Sequence, residues 1–332
     1  MSDTSTTTKT KAPKKKINPE LAGALPCPIT GAPPVRRIQT MSKALLQDIW
    51  RLGQGVDVSH LFKDIKSFSL YESPTGLVYF DPMVVGDGEF YGTYYDKWEV
   101  HDALTYLSDT RVDFMHTAKH VPAGAKVIDI GCGPGVFRRH VPHATYVGLD
   151  PYAGPDVDDV VIRETLEEHA EKNPGAYDVA TCFHVIEHVP NPRRHAELMA
   201  KLVKPGGLVV LAAPLFPSPL TEIPNLPINM PPHHVTWWNA RAFTALAENL
   251  GLEVVEANAT PPSPHQNMFF WMHKLLFRRT YHSPDERYFA HRWSWHASIA
   301  LAYLGARVVS RFRSMPATAR PVDAYLVARK PA

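Results

Sequence analysis

Three glycines at alternate positions directly after an apolar run, Val127-Ile-Asp-Ile-Gly-Cys-Gly-Pro-Gly-Val-Phe137, narrow the chemistry most. Gly131, Gly133 and Gly135 let the backbone turn sharply and approach a ligand that side chains would exclude. Asp150 follows nineteen residues after Gly131, closing the run Tyr146-Val-Gly-Leu-Asp. A carboxylate there can accept both hydroxyl protons of a ribose, so the two features together indicate an adenosine ligand. The dinucleotide fingerprint is G-x-G-x-x-G, whereas this loop reads G-x-G-x-G with Asp129 two residues before its first glycine. An acid at that point repels a pyrophosphate but can orient the ammonium group of a methionine moiety. The expected cofactor is S-adenosylmethionine.

A second group of reactive residues is His184-Val-Ile-Glu187-His188. The pattern H-x-x-E-H on a helix also occurs in zinc peptidases, but here it ends a strand-like run, which disfavours that reading. Methyl transfer from a sulfonium is an in-line displacement and chiefly requires alignment. A hydroxyl acceptor must also lose its proton, work for which a neutral histidine has a suitable pKa. His188, His233 and His234 are the candidate bases, with Glu187 beside them as a base or substrate contact. The competing readings are structural: caps for Glu187 and His188, and solvated surface or aromatic packing against Trp237 and Trp238 for the paired histidines.

The elements that must position these residues are short β-branched runs alternating with helical patterns, the signature of βαβ units and a parallel sheet. Strands are expected at 126–130, 145–149, 160–162, 177–183, 208–213, 252–257 and 322–329. Asn191-Pro192 opens a helix, and Gly251 closes another that runs from Asn239. Nearer the start, apolar residues at 41, 45, 49 and 52 predict a helix capped by Ser42 and ended by Gly53. Residues 67–95 read as a small β-hairpin unit.

With these motifs in place, the chain resembles the class I S-adenosylmethionine-dependent methyltransferases, in the branch of ubiquinone-type O-methyltransferases and of natural-product and sugar methyltransferases. Beyond the glycine loop, the resemblance rests on Tyr177-Asp-Val-Ala-Thr-Cys-Phe-His-Val-Ile-Glu-His-Val189, on Leu202-Val-Lys-Pro-Gly-Gly-Leu-Val-Val-Leu211 and on His233-His-Val-Thr-Trp-Trp238, over roughly residues 105–258. It implies an α/β fold: a Rossmann-like doubly wound sheet of seven strands, the last antiparallel, with a small N-terminal cap and a helical C-terminal insertion. It further implies that Asp129, Gly131, Cys132, Gly133 and Gly135 surround the methionine end of the cofactor and that Asp150 holds the ribose. Adenine would lie near Pro151 and residues 164–166, with Phe183 and His184 flanking the cofactor.

Some relatives bind a divalent cation through E-x-x-E-H. His184 replaces the first of those acids, and no metal is expected. Many relatives also carry a zinc ribbon of two C-x-x-C-G knuckles, where this chain reads Cys27-Pro-Ile-Thr30-Gly31 and Glu72-Ser-Pro-Thr75-Gly76. One of four thiolates remains, which cannot hold a tetrahedral zinc, so the ribbon's shape is expected without its metal. Tyr94 or Tyr95 would then touch the cofactor.

The expected organisation is a disordered basic tail at 1–20, the cap at 21–98 and the methyltransferase domain at 99–332, with 260–320 inserted as a helical lid. Three scattered cysteines among 332 residues exclude a disulfide framework and suit a reducing, cytoplasmic setting. The charge is uneven: net −9 over 21–259 but +7 over 260–320. That basic, aromatic insertion is open to four readings, namely selection of an anionic substrate, contact with a membrane surface and a lipophilic acceptor, RNA binding as the least expected, or packing on the core or a dimer partner. The expected activity is O-methylation of a small molecule, a secondary metabolite or sugar. N- or C-methylation and a non-catalytic adenosyl-ligand scaffold are the alternatives.

Overall fold

The computed structural model describes residues 21–98, 108–154, 157–280 and 287–332; the basic tail at 1–20 lies outside them. The seven expected strands form one sheet: β4 (Lys126–Ile130), β5 (Thr145–Leu149), β6 (Val161–Ile162), β7 (Tyr177–Phe183), β8 (Val203–Pro214), β10 (Glu253–Ala259) and β11 (Asp323–Arg329). Their order is β10-β11-β8-β7-β4-β5-β6. The pairs among β6, β5, β4, β7 and β8 are parallel, and β11 is antiparallel to both β8 and β10. This is the Rossmann-like doubly wound arrangement, in which the carboxyl ends of β4, β5 and β7 share the rim where ligands bind. β8 begins earlier than its apolar run because Val203 pairs with Tyr177 before the register shifts. Gly207 permits this: a Cβ there would lie 2.9 Å from the carbonyl oxygens of Asp178 and Lys204.

A second sheet has order β1-β2-β3-β9, from β1 (Arg36–Ser42), β2 (Ser67–Glu72), β3 (Val78–Asp81) and β9 (Thr236–Trp237). Its fourth strand comes from the proline-rich segment after β8. Two local expectations need correction. The first helix, α1 (Lys43–Gln54), takes Ser42 as its cap as expected, but Met41 belongs to β1 and Gly53 to the helix itself. Gly55 ends it at φ 62°, donating its N–H to the carbonyls of Arg51 and Trp50. The hairpin of β2 and β3 stops at Asp81, and α2 (Gly88–Trp98) follows instead of further strand. Asp87 supplies the reason, its carboxylate accepting the Phe90 N–H at 2.9 Å, while Phe90, Tyr91, Tyr94 and Tyr95 fall at helical spacing.

Loops 27–31 and 72–76 face each other. The Ser73 hydroxyl donates to the Cys27 thiol at 2.9 Å and lies 2.8 Å from the Thr75 hydroxyl. Glu72 turns away to Arg36 at 2.6 Å.

The helices α3 (Val112–Ala118), α4 (Leu166–Lys172), α5 (Pro192–Leu202) and α6 (Ala240–Asn249) flank the large sheet, with Asn191 and Asn239 as the caps of the last two. The insertion contains α7 (Asn267–Leu275) and α8 (Trp293–Phe312), packed on Leu220, Ile223 and Leu226 of the proline-rich segment. Among the described residues no helix is long and apolar enough to cross a membrane.

The cap core of Trp50, Phe62, Phe68, Phe80 and Phe90 takes in Phe216, Met230 and Trp237 from the proline-rich segment and Tyr288 and Phe289 from the insertion. Trp50 is fully buried, and its indole N–H donates to the Pro231 carbonyl at 2.8 Å. Trp50→Phe keeps an aromatic ring but strands that carbonyl, and an orphaned buried acceptor costs about 1–3 kcal/mol. Urea unfolding should show a loss of that size.

Candidate active site

The loop after β4 is held in an unusual conformation by its glycines. Gly131, Gly133 and Gly135 have φ of 67°, 52° and 70°, in the left-handed region that other residues rarely adopt. A Cβ at Gly131 would lie 2.4 Å from Val185 Cγ2, whereas one at Gly133 would meet nothing within 4 Å. The loop is therefore backed against the segment after β7 and open above Gly133. The Gly133 N–H donates to Asp150 at 2.9 Å, and the other Asp150 oxygen accepts from the Tyr152 N–H at 2.9 Å. Asp150 thus stands at the lip of the open loop, with Pro151 exposed beside it and Cys132 half-buried within it. Bare backbone next to a partly exposed carboxylate fits a nucleoside.

Asp129 lies behind the loop. It is 2% exposed, and its oxygens accept from the Thr181 hydroxyl at 2.8 Å and the Tyr146 hydroxyl at 2.9 Å. Burial pushes its pKa up to about 7 against those two hydrogen bonds. Phe183 is buried edge-on against Phe114 and near Phe137, with ring centroids 4.7 and 4.9 Å away. Of residues 164–166, Glu164 bonds His169 and Lys172, and Thr165 caps α4.

His184 follows β7 at φ 58°, a conformation that costs a residue with a side chain of order 1–3 kcal/mol. Its ring nitrogens lie 3.6 Å from Asp113 and 3.6 Å from Glu187. Burial opposes a charge on this imidazole, but Asp323, Asp113 and Glu187 outweigh it and push the pKa up to about 10, so His184 is a cation at neutral pH. Asp113 also pairs with Arg111, whose guanidinium lies 3.8 Å from the centre of the Phe114 ring. Burial pushes Asp323 up to about 6, and Gln266 donates to it. Sequence reasoning missed Arg111, Asp113 and Asp323. The signal for Asp323 was an acid opening an otherwise apolar strand.

Glu187, His188, His233 and His234 converge beside His184. Glu187 and His188 lie in the short turn Ile186–His188, and His233 and His234 lie in the loop leading to β9, tied down where the Val235 N–H donates to the Glu187 carbonyl at 2.8 Å. The ring centroid of His188 is 4.4 Å from that of His233 and 4.9 Å from that of His234. Burial lowers the pKa of all three, and neighbouring imidazoles depress His233 and His234 further, so they are neutral at pH 7. Glu187 is 1% exposed, and neither of its carboxylate oxygens has a hydrogen bond.

α2 roofs this ground. The Tyr91 hydroxyl lies 3.3 Å from His188 Nδ1, and the Tyr94 ring is edge-on to His233 at 5.3 Å. The Tyr95 ring lies 5.6 Å from that of Tyr91 and 6.0 Å from that of Tyr94, and burial raises its pKa, with Asp150, Tyr94 and Glu187 adding to the shift. The cleft therefore joins an open backbone cradle with a flanking carboxylate to a buried cluster of neutral imidazoles, a layout suited to alignment of two reactants and proton uptake from one of them.

A family model described as "Methyltransferase domain" matches residues 100–257. The ubiquinone biosynthesis O-methyltransferase of Klebsiella pneumoniae is 43% identical over 101 residues, covering 26% of this chain and 41% of that protein. Its counterpart from Vibrio atlanticus is 42% identical over 121 residues, covering 32% and 50%. The chain thus spans half or less of the length of these curated relatives. Among solved structures, a SAM dependent methyltransferase from Archaeoglobus fulgidus overlaps 73% of this chain and all of its own, at 14% identity and a TM-score of 0.44. Residues 100–257 thus match a methyltransferase domain, and they are set in a Rossmann-like fold.

Proposed function

We propose that the chain methylates a hydroxyl group of a small molecule, a secondary metabolite or sugar. The observation that carries this reading is the cluster of three neutral imidazoles beside Glu187, in the segment whose Val185 backs the glycine loop. When bound, S-adenosylmethionine supplies a methyl group already activated on a sulfonium. Gly131, Gly133 and Gly135 leave room for its methionine end, and Asp150 accepts from the ribose hydroxyls. Asp129 acts from behind, fixing the strand end through Thr181 and Tyr146. A histidine of the cluster would take up the proton that the acceptor hydroxyl gives up on methylation.

His188 and His234 are the preferred bases: their Nε2 atoms lie 3.8 and 3.9 Å from Glu187 Oε1, and a buried carboxylate stabilises the imidazolium that proton uptake creates. His233 is their neighbour in the same cluster. The reading also divides the chain into a metal-free ribbon-like cap at 21–98, a catalytic domain at 99–332 and a lid at 260–320. The lid role is supported at its base, where Ser263 accepts from the Val112 N–H at 3.0 Å and Gln266 bonds Asp323.

A second feature favours a lipophilic acceptor met at an anionic membrane surface. Along α8, Trp293, Leu301, Leu304, Val308 and Phe312 are 82%, 62%, 58%, 56% and 81% exposed, and exposed Arg307 and Arg311 flank them at helical spacing. Such an apolar stripe with basic neighbours suits a helix lying in a bilayer interface. Phe277, 52% exposed, extends the patch beyond α7. Vesicles containing phosphatidylglycerol should co-sediment the protein. Trp293→Ser with Phe312→Ser, or vesicles of phosphatidylcholine alone, should sharply reduce recovery, and equal recovery in all cases would exclude the membrane reading.

Methyl-labelled cofactor, incubated with the protein and a hydroxylated small-molecule extract, should leave label in an ether. Label at nitrogen or carbon, or none, would overturn the O-methylation reading. Asp150→Ala should weaken cofactor binding about 10- to 100-fold by calorimetry, the worth of hydrogen bonds to a charged group. Because the histidine pKa values are lowered, the base stays neutral on acidification below its ordinary value. At saturating cofactor, kcat should be flat from neutral pH down through 6.5 and fall only below it; a fall centred above 6.5 would remove histidine from the role.

A further inference from the structure

We propose that His116, His120 and Glu256 form a binding site for a divalent cation of the zinc class, where the end of α3 meets β10 at the edge of the large sheet. Each of the three offers one ligand atom, and these atoms lie within 4.8 Å of one another. His116 Nε2 is 3.1 Å and His120 Nε2 3.4 Å from the same oxygen, Glu256 Oε2. Ligands about 2.0–2.1 Å from a tetrahedral zinc ion are separated from each other by about 3.3 Å, so both spacings already match the edges of that tetrahedron. The segment His116-Thr-Ala-Lys-His120 also has the H-x-x-x-H spacing that zinc sites use.

Local structure on both sides brings the donors together. Past Ala118 the chain keeps turning, the Lys119 N–H donating to the His116 carbonyl at 3.2 Å and the His120 N–H to the Thr117 carbonyl at 2.9 Å. This carries His120 round to the face of His116, their ring centroids 5.5 Å apart. Opposite them, the pairing of β10 with β11 shifts between Val254 and Glu256, and such a bulge re-aims a side chain. The Glu256 carboxylate accepts from the Tyr325 hydroxyl, and its Oε1 accepts from the Asn258 amide at 3.4 Å. The Tyr325 ring also lies against that of His116, centroids 4.4 Å apart. Outer contacts of this kind fix the orientation of metal ligands.

Two imidazoles and one carboxylate favour zinc, cobalt or nickel over magnesium, which prefers oxygen donors and water. The side chains of His116, His120 and Glu256 are 23%, 25% and 29% exposed, which leaves a fourth position for water. A cation held there fastens α3 to the edge strand. The opposite end of α3 presents Asp113 to His184, so the clamp steadies an element of the rim without taking part in its chemistry. Binding does not depend on the proposed methylation.

The test uses the full chain with neither cofactor nor acceptor. Its readout is local, because His188, His233 and His234 also group three ring nitrogens and a bare stoichiometry does not tell the two places apart. With zinc chloride at ten times its dissociation constant, amide hydrogen exchange through local opening should slow about 10-fold at 116–120 and 254–258. Magnesium chloride should leave it unchanged. His116→Gln with His120→Asn, which keeps polar side chains, should abolish that protection and remove one equivalent of zinc from a calorimetric titration, with an unchanged circular dichroism spectrum. Glu256→Gln, close in shape, should weaken zinc binding there by about 10-fold or more. His233→Gln with His234→Asn should leave the protection intact. No zinc protection of these segments in the parent protein, equal protection in the His116/His120 variant, or its loss in the His233/His234 variant would each overturn the proposal.

Discussion

Four carboxylates are buried together at the carboxyl ends of the central strands, and the site is built around how their charge is offset. Asp113, Asp129, Glu187 and Asp323 are each no more than 4% exposed. Isolated burial of an ionised carboxylate is prohibitive, so each must be paired, hydrogen-bonded or protonated. The chain uses all three routes. Arg111 and His184 hold Asp113 below the usual carboxylate range despite its burial, two hydroxyls serve Asp129, and Asp323 is pushed toward protonation. Glu187 is left facing imidazoles. The left-handed backbone of His184 has its reason here, since that conformation sets one ring between Asp113 and Glu187.

The offsetting groups come from distant parts of the chain. Arg111 and Asp113 precede the first strand of the large sheet, His184 and Glu187 follow β7, His233 and His234 come from the loop before β9, and Asp323 opens the last strand. Hydrophobic packing brings these segments to one rim, and the Tyr91 hydroxyl adds a polar contact from the cap helix. The same burial that makes the imidazoles of His188, His233 and His234 neutral leaves Glu187 without a hydrogen-bonded partner.

Local signals made much of this readable in advance. The alternate glycines, the strand-ending Asp150, the asparagine caps of α5 and α6 and the apolar runs of all seven strands are carried by short segments whose physics is local, and each is found where expected. Glu187, His188, His233 and His234 were legible only as separate candidates; that they meet is read from the structure. α2 was misread because its aromatic residues have strand propensity, while Asp87 and helical packing against Trp50 decide the outcome. Arg111 and Asp113 carry no local pattern; their importance arises only when α3 is packed beside His184. The inward role of Asp129 depends on Tyr146 and Thr181 from neighbouring strands, a relation that spacing along the chain does not encode.

The fourth strand of the small sheet is contributed by the very loop that presents the paired histidines. Val78 and Tyr79 pair with Trp237 and Thr236, while Gln39 bonds the backbone of Tyr288 and Phe289. Residues 36–81 are thereby woven into the rim at two seams. A chimera that exchanged this portion for that of another chain would have to import a matching 216–238 and 288–289 along with it, so these stretches form one unit of inheritance despite their separation in the sequence.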